Sequence, residues 1–363
     1  MMIRATLAPL TVEKGSTLIS FRSATRKGRA LRTATAIAAA TVVGFGLSAC
    51  GGIDPTTQDP DTGADALTVG IFVDNAFGDG DFFDQAAAAE GSLATELGAT
   101  VQTYEGQLQA QNFEPLLQDA ADANDLVFVL GFEAIDAMLK VAGDNPDTTF
   151  VFVDAVIDSP DIYSAEFRTA EGCFMAGALA ATVNDAASKT VAGFIGGVNA
   201  PVIENCQSGY EQGVAKVNSA QTVASQYAGS FVDPAKGSEI ATALAGQGAY
   251  SMFAYAGLTG AGAFDAAKSG VDIAPIGVVA DKSSLAPGKS PGSLTMGVDA
   301  VILAVATTYA DGDLVKGESA SYGFAEGGWK MIYDSALVTA DQIAALDAIQ
   351  EEIVSGSLVV TAG

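Results

Sequence analysis

From residue 67 onward, short apolar runs alternate with longer stretches in which apolar residues recur at helical spacing. Thr68 to Val73 reads as a buried strand that stops at Asp74 and Asn75. Residues 84–97 read as a helix closed by Gly98, and residues 99–104 as a second strand. A third strand, 125–130, leads through Gly131 into a helix ending near residue 142, and a fourth, 150–153, stops at Asp154. The series continues with a helix near 171–184, a strand at 191–195 and a helix at 202–217. Strand 222–227, helix 234–246, strand 250–255 and helix 260–268 follow. Strands alternating with helices predict parallel sheets covered on both faces. A length of 363 residues accommodates two such lobes.

Open parallel sheets bind ligands beyond the carboxyl ends of their strands. Here those ends carry Asp74 and Asn75, then Gly131 and Phe132, then Asp154. Gly196, Gly197, Val198 and Asn199 follow the 191–195 strand, Gly257 to Gly260 follow Tyr255, and Asp281 with Lys282 follow Val279. Carboxylates accept hydrogen bonds from hydroxyls, and aromatic faces stack on planar rings. The set therefore suits a neutral or cationic polar ligand better than a phosphate. Any one of these aspartates also suits a helix cap; three together at strand ends favour a binding role.

Composition removes several alternatives. The chain has no histidine, which excludes Ser-His-Asp and Cys-His chemistry and a common zinc ligand. The formal charge is −26. Seven of the 17 basic residues and one of the 43 acidic ones precede residue 33, so the remainder carries ten against 42, or −32. Such a surface repels nucleic acid.

That basic start is followed by a small apolar run, Ala34 to Leu47, and by Leu47-Ser48-Ala49-Cys50. This is the layout of a secretory signal, and the apolar run is too short to span a bilayer comfortably. The last four residues look like a bacterial lipobox, which implies cleavage before Cys50 and lipid on its sulfur. The expected organisation is a signal peptide at 1–49 and a flexible tether at 50–66. Lobe 1 is expected at 67–165 plus about 295–320, and lobe 2 at 166–294 plus about 321–363. The protein is expected at the outer face of the cytoplasmic membrane, as a monomer.

Other motifs add little. Gly288-Lys289-Ser290 lacks the first glycine of a phosphate loop, since Ser283 holds that place. Asp79 to Asp84 resembles part of a calcium loop but lacks its closing glutamate. A binding-site loop ending in a helix cap is the better reading, and no metal is expected. Cys173 and Cys206 either form a disulfide or are two separately buried thiols.

Taken in order, several stretches resemble the basic membrane lipoprotein (BMP) family, best known for purine nucleoside receptors of the PnrA type. They are GDGDFFDQAAAAEG (78–91), DLVFVLGFEAIDAMLKVAGDNPDTTFVFVD (125–154), EGCFMAGALAA (171–181) and VAGFIGGVNAPVIENCQSGYEQGV (191–214). GSFVDPAKGSEIATAL (229–244), AGLTGAGAFDAAK (256–268) and SLAPGKSPGSLTMGVD (284–299) continue the series. The resemblance implies a type I periplasmic-binding fold, with two doubly wound lobes joined by three hinge crossovers and closing on a ligand. It places one stacking aromatic at Phe82, with Phe83 as the alternative, and the other at Phe231. It places the ribose-holding acid at Asp154 and a binding glycine at Gly257. Asp74, Asn75, Phe132, Asn199 and Asp281 complete the expected ligand set. Val279 stands where the family has an acid, and Met296-Gly297 where it has Lys-Arg. The implied role is a binding protein without cofactor or catalysis, serving an ABC permease and its ATPase. A sensory receptor on the same fold and a carboxylate-based nucleoside hydrolase are the rival readings. A DNA-binding regulator of this fold is excluded by the secretion signal where its helix-turn-helix head belongs.

Overall fold

The computed structural model describes residues 66–363. Cys50, the signal segment and nearly all of the tether lie outside the described residues. In chain order the first elements are β1 Thr68–Val73, α1 Phe82–Leu97, β2 Thr100–Glu105, α2 Ala110–Ala123, β3 Leu126–Leu130, α3 Ile135–Asp144, β4 Thr149–Val153 and β5 Ile162–Phe167. Next come α4 Thr169–Ala186, β6 Val191–Gly196, α5 Pro201–Val217, β7 Thr222–Tyr227, α6 Pro234–Gly246, β8 Ala249–Tyr255, α7 Ala261–Lys268 and β9 Ala274–Val279. The chain ends with β10 Gly292–Met296, α8 Val298–Ala310, β11 Ser319–Tyr322, β12 Trp329–Tyr333 and α9 Ala340–Val354.

Two six-stranded sheets result, ordered β11-β5-β4-β3-β1-β2 and β12-β10-β9-β8-β6-β7. The central strands are apolar without alternation: LVFVL in β3 and TFVFV in β4 are buried at every position. That pattern is what a parallel strand covered on both faces requires. One expectation fails at the edge. The strand β12 runs antiparallel to β10, because it returns from the other lobe through a short turn rather than through a covering helix.

Helix ends follow local chemistry. Gly98 closes α1 with φ 63°, its amide bonded to Leu93 O. Pro234 opens α6 while the Asp233 carboxylate accepts from Lys236 N at 3.0 Å. Thr339 and Gln342 form a reciprocal capping box at α9.

The chain passes between the sheets three times, at Arg168, at Gly297 and over Gly323–Gly328. Arg168 ties the first crossover to the third. Its guanidinium donates to Glu171 at 2.6 Å and to Ser321 O at 3.0 Å, and it pairs with Glu326. Gly297 N donates to Gly328 O at 3.0 Å, joining the second crossover to the third. Beside them Trp329 packs on Phe167, with ring centroids 5.5 Å apart, and against the α-carbon of Gly172. A continuous core runs through this region from α1 and α8 to α4 and α5. Within it, α4 and α5 approach so closely that a β-carbon at Gly213 would lie 1.9 Å from Phe174 O. Cys173 on α4 and Cys206 on α5 are joined by a disulfide, their α-carbons 5.1 Å apart and both side chains fully buried. Among the described residues no helix is long and apolar enough to cross a membrane.

Candidate ligand-binding site

In each sheet the strand order reverses at one place, between β1 and β3 in the first and between β6 and β8 in the second. Neighbouring strands leave in opposite directions there, so their carboxyl ends open a crevice. The two reversals repeat each other. Asp74 N donates to Leu130 O at 2.9 Å in lobe 1, and Gly197 N to Tyr255 O at 3.1 Å in lobe 2. A cavity of about 360 Å³ lies between them.

Asp74, Asn75, Phe82, Phe83, Phe132, Asp154, Phe231 and Gly257 line this cavity. Two expected members are elsewhere. Asn199 is exposed on the β6–α5 loop and is not among the lining residues. The Asp281 carboxylate turns back on its own loop, accepting from Ser283 N at 3.0 Å, and is also outside the lining. Asp79 and Asp81, read only as part of a binding-site loop, and Tyr255, left out of the expected ligand set, do line it. Tyr255 was legible as the last residue of its strand; Asp81 was hidden within an acidic run.

Asp74 is 2 % exposed and is held under Gly131. A β-carbon at Gly131 would lie 1.9 Å from the Asp74 carboxyl carbon, and Gly131 has φ 107°. Glu133 N donates to the Asp74 carboxylate at 3.3 Å. Burial, reinforced by the neighbouring Glu133 carboxyl, raises the Asp74 pKa to about 8. Gly131→Ala is therefore expected to displace the carboxylate and strain the backbone by about 1–3 kcal/mol. The measurement is ligand titration beside thermal melting: binding should be lost while the protein still folds, and unchanged affinity would remove Asp74 from the site.

Asp154 ends β4 in a left-handed conformation, φ 89°, uncommon outside glycine and found most often at Asn and Asp among the rest. Its backbone amide is fixed on Ala165 O at 2.8 Å. The residue keeps some surface toward the cleft, yet Oδ1 is buried with no partner. Burial first, and the charge of Glu166 second, raise its pKa to about 7. Asp154 thus lines the cavity with one buried oxygen unsatisfied, an arrangement suited to taking donors from a ligand.

The loop before α1 is internally braced. Asp79 accepts from the amides of Asp81, Phe83 and Asp84, and Asp84 accepts from those of Gly78 and Gly80. These bonds occupy the carboxylates that a calcium loop would use, and no metal-binding cluster occurs among the described residues. The bracing sets Phe82 and Phe83 in the first turn of α1, ring centroids 5.6 Å apart and edge to face, and both line the cavity. Across the cleft Phe231 lies against Gly197, where a β-carbon would come within 2.2 Å of the ring. Thr259 pins the Phe231 loop, its amide donating to Phe231 O and its hydroxyl to Ser230 O.

Two contacts bridge the lobes. Lys282 Nζ is 3.1 Å from Asp81, with side chains 17 % and 6 % exposed. Gln85 Nε2 donates to Val279 O at 2.5 Å. Burial raises the Asp81 pKa to about 6, outweighing the lowering by Lys282, and Oδ1 of Asp81 has no partner. Val279 is held at φ 69°, a conformation that is strained for a β-branched side chain.

Comparison with known proteins bears on the family and the fold. "Basic membrane protein D" of Borreliella burgdorferi (strain JD1) is 32% identical over 292 residues, covering 77% of this chain and 83% of that protein. The "ABC transporter nucleoside-binding protein BmpA" of Lactococcus lactis subsp. cremoris is 34% identical over 253 residues, 65% of this chain and 70% of that one. A solute-binding protein of an ABC transporter system from Aeropyrum pernix K1 superposes with a TM-score of 0.70 at 24% identity, covering 82% of this chain and 94% of that chain, which supports the fold. Residues 66–362 match the model of one family, described as PnrA-like ABC transporter substrate-binding proteins. With that match spanning both lobes and the cleft, the chain belongs to the PnrA-like family of ABC transporter substrate-binding proteins, which are binding proteins and not enzymes.

Proposed function

We propose that this protein captures a nucleoside between its lobes and delivers it to an ABC importer. The observation that carries the reading is one cavity holding aromatics from opposite lobes, Phe82 or Phe83 and Phe231, beside the unpartnered carboxylate of Asp154. The aromatics suit stacking on a base, and Asp154 with Asp74 suits accepting from sugar hydroxyls. The Lactococcus relative is named as nucleoside-binding, which supports this ligand class. Lipid on Cys50 would hold the protein, as a monomer, at the outer face of the cytoplasmic membrane beside its permease and ATPase partners. Drawn to the crossovers, lobe 1 comprises 67–167 with 298–322, within a few residues of the expected bounds, lobe 2 comprises 169–296 with 329–363, and the three crossovers act as the hinge.

A thermal-shift screen of the purified protein against nucleosides, bases, sugars and amino acids tests the ligand class. A nucleoside present at 100 times its Kd should add about 2.7 kcal/mol by mass action. Phe231→Ala should remove most of that shift. Stabilisation by sugars or amino acids alone would discard the nucleoside and keep a transport role.

A further inference from the structure

The two walls of the cleft differ in kind. Every acidic or basic side chain lining it comes from lobe 1: Asp74, Asp79, Asp81, Glu133 and Asp154. Lobe 2 contributes no charge, and its side-chain hydroxyls are those of Ser230 and Tyr255. Tyr255 stands near the acids and points at Met296 Sδ, 4.0 Å away. Apart from Phe231 and the small residues at 229, 256 and 257, the rest of that wall is aliphatic: Val198, Val232, Leu258, Val278, Val279 and Met296. Val278, Val279 and Met296 are 6 %, 7 % and 4 % exposed. The backbone carbonyl of Val279 is already taken by Gln85.

This asymmetry deepens the nucleoside reading and rests on it. With sugar hydroxyls on the lobe 1 carboxylates and the base stacked between aromatics, the base turns its outer edge to the aliphatic wall. We propose that the cleft selects nucleosides whose base presents an apolar edge, unsubstituted or alkylated, over those whose edge carries several donors and acceptors. A polar edge group buried there without a partner forfeits its water, at about tenfold in affinity for each 1.4 kcal/mol lost. An alkyl group in the same place gains from burial. Hydrogen-bonding sites reject ligands that lack the group they expect; an aliphatic wall works in the opposite sense, rejecting ligands that carry it.

Calorimetric titration of the full protein compares purine riboside, 6-methylpurine riboside and N6,N6-dimethyladenosine with inosine and guanosine. The first three are expected to bind at least tenfold more tightly than the last two. Val279→Asn places an amide in the wall, and asparagine accepts the left-handed backbone that strains valine. This variant should improve inosine relative to 6-methylpurine riboside by about tenfold. Met296→Gln should shift the ranking in the same direction and covers the case in which the first variant does not fold. Inosine or guanosine binding the wild-type protein as tightly as the alkylated compounds overturns the inference and leaves the nucleoside reading standing. If none of the five binds, the inference is overturned for purine ribosides, and the thermal-shift screen of other nucleosides decides separately whether the nucleoside reading stands.

Discussion

Asp154→Asn is expected to lose ligand affinity by roughly 30- to 1,000-fold while making the empty protein more stable at pH 8. Both effects come from one arrangement. Asp154 is forced into φ 89°, and its Oδ1 is buried without a partner. Its pKa rises from 3.8 to about 7. Between those values the folded protein holds a proton that the unfolded chain has released. The contribution of Asp154 to stability is then fully present below pH 3.8, falls as pH rises toward 7, and levels off above it. Asp74 and Asp81, raised to about 8 and about 6, act in the same direction. Asparagine carries no charge to desolvate and tolerates the left-handed backbone. Since Asp154 keeps some exposure to the cleft, the recovered stability at pH 8 is on the order of 2 kcal/mol. Its amide oxygen still accepts hydrogen bonds but without charge assistance, so ligand hydroxyls bind it more weakly. Urea unfolding at pH 5 and pH 8, with calorimetric titration of the bound nucleoside, measures both effects. A wild-type protein more stable at pH 8 than at pH 5 would contradict the buried-carboxylate account. An asparagine variant of unchanged affinity would take Asp154 out of ligand recognition.

Removing the disulfide should lower stability by about 3–4 kcal/mol, the chain-entropy value for its loop. The two cysteines are 33 residues apart in sequence, and both are fully buried between α4 and α5. The expected change in the double variant Cys173→Ala/Cys206→Ala is a fall in melting temperature of about 5–10 °C. Affinity should change little, because neither cysteine lines the cleft. Differential scanning calorimetry checks the first point and titration the second. A fall of less than about 1 °C would mean that packing of α4 on α5 fixes the loop without the bond. A large loss of affinity would mean that the hinge transmits the damage, since Gly172, next to Cys173, bears on Trp329, which directly follows the third crossover.

Legibility in the sequence differs from element to element. Strands such as β3 and β4 were readable because burial on both faces demands unbroken apolar runs. The helix α2 was not assigned: it contains Pro115 and shows only four buried residues in 14 positions. The elements β5, β10, α8, β11, β12 and α9 also went unassigned. The strand β11 is four residues, SASY, none of them fully buried, so its pattern carries little signal. The start of α1 was placed at residue 84 rather than at Phe82, because its cap is supplied by Asp79, several residues upstream, instead of by the adjacent residue.

For the site, the strand-end rule selected Asp74, Phe132, Asp154 and Gly257, and the family resemblance supplied Phe82 and Phe231; all of them line one cavity. Asn199 and Asp281 obey the strand-end rule and still lie outside it, because position after a strand fixes the end of the sheet but not the direction of a side chain. The sequence by itself determined that two α/β lobes would present acids, glycines and aromatics at their strand ends, since local pattern and chain order suffice for that. Only the tertiary structure decided the two bridges between lobes, Asp81 to Lys282 and Gln85 to Val279. The same holds for the left-handed backbones of Asp154 and Val279 and for the raised pKa values of the acids. Each of these depends on groups distant in the chain being brought together and dehydrated, and no local pattern encodes that.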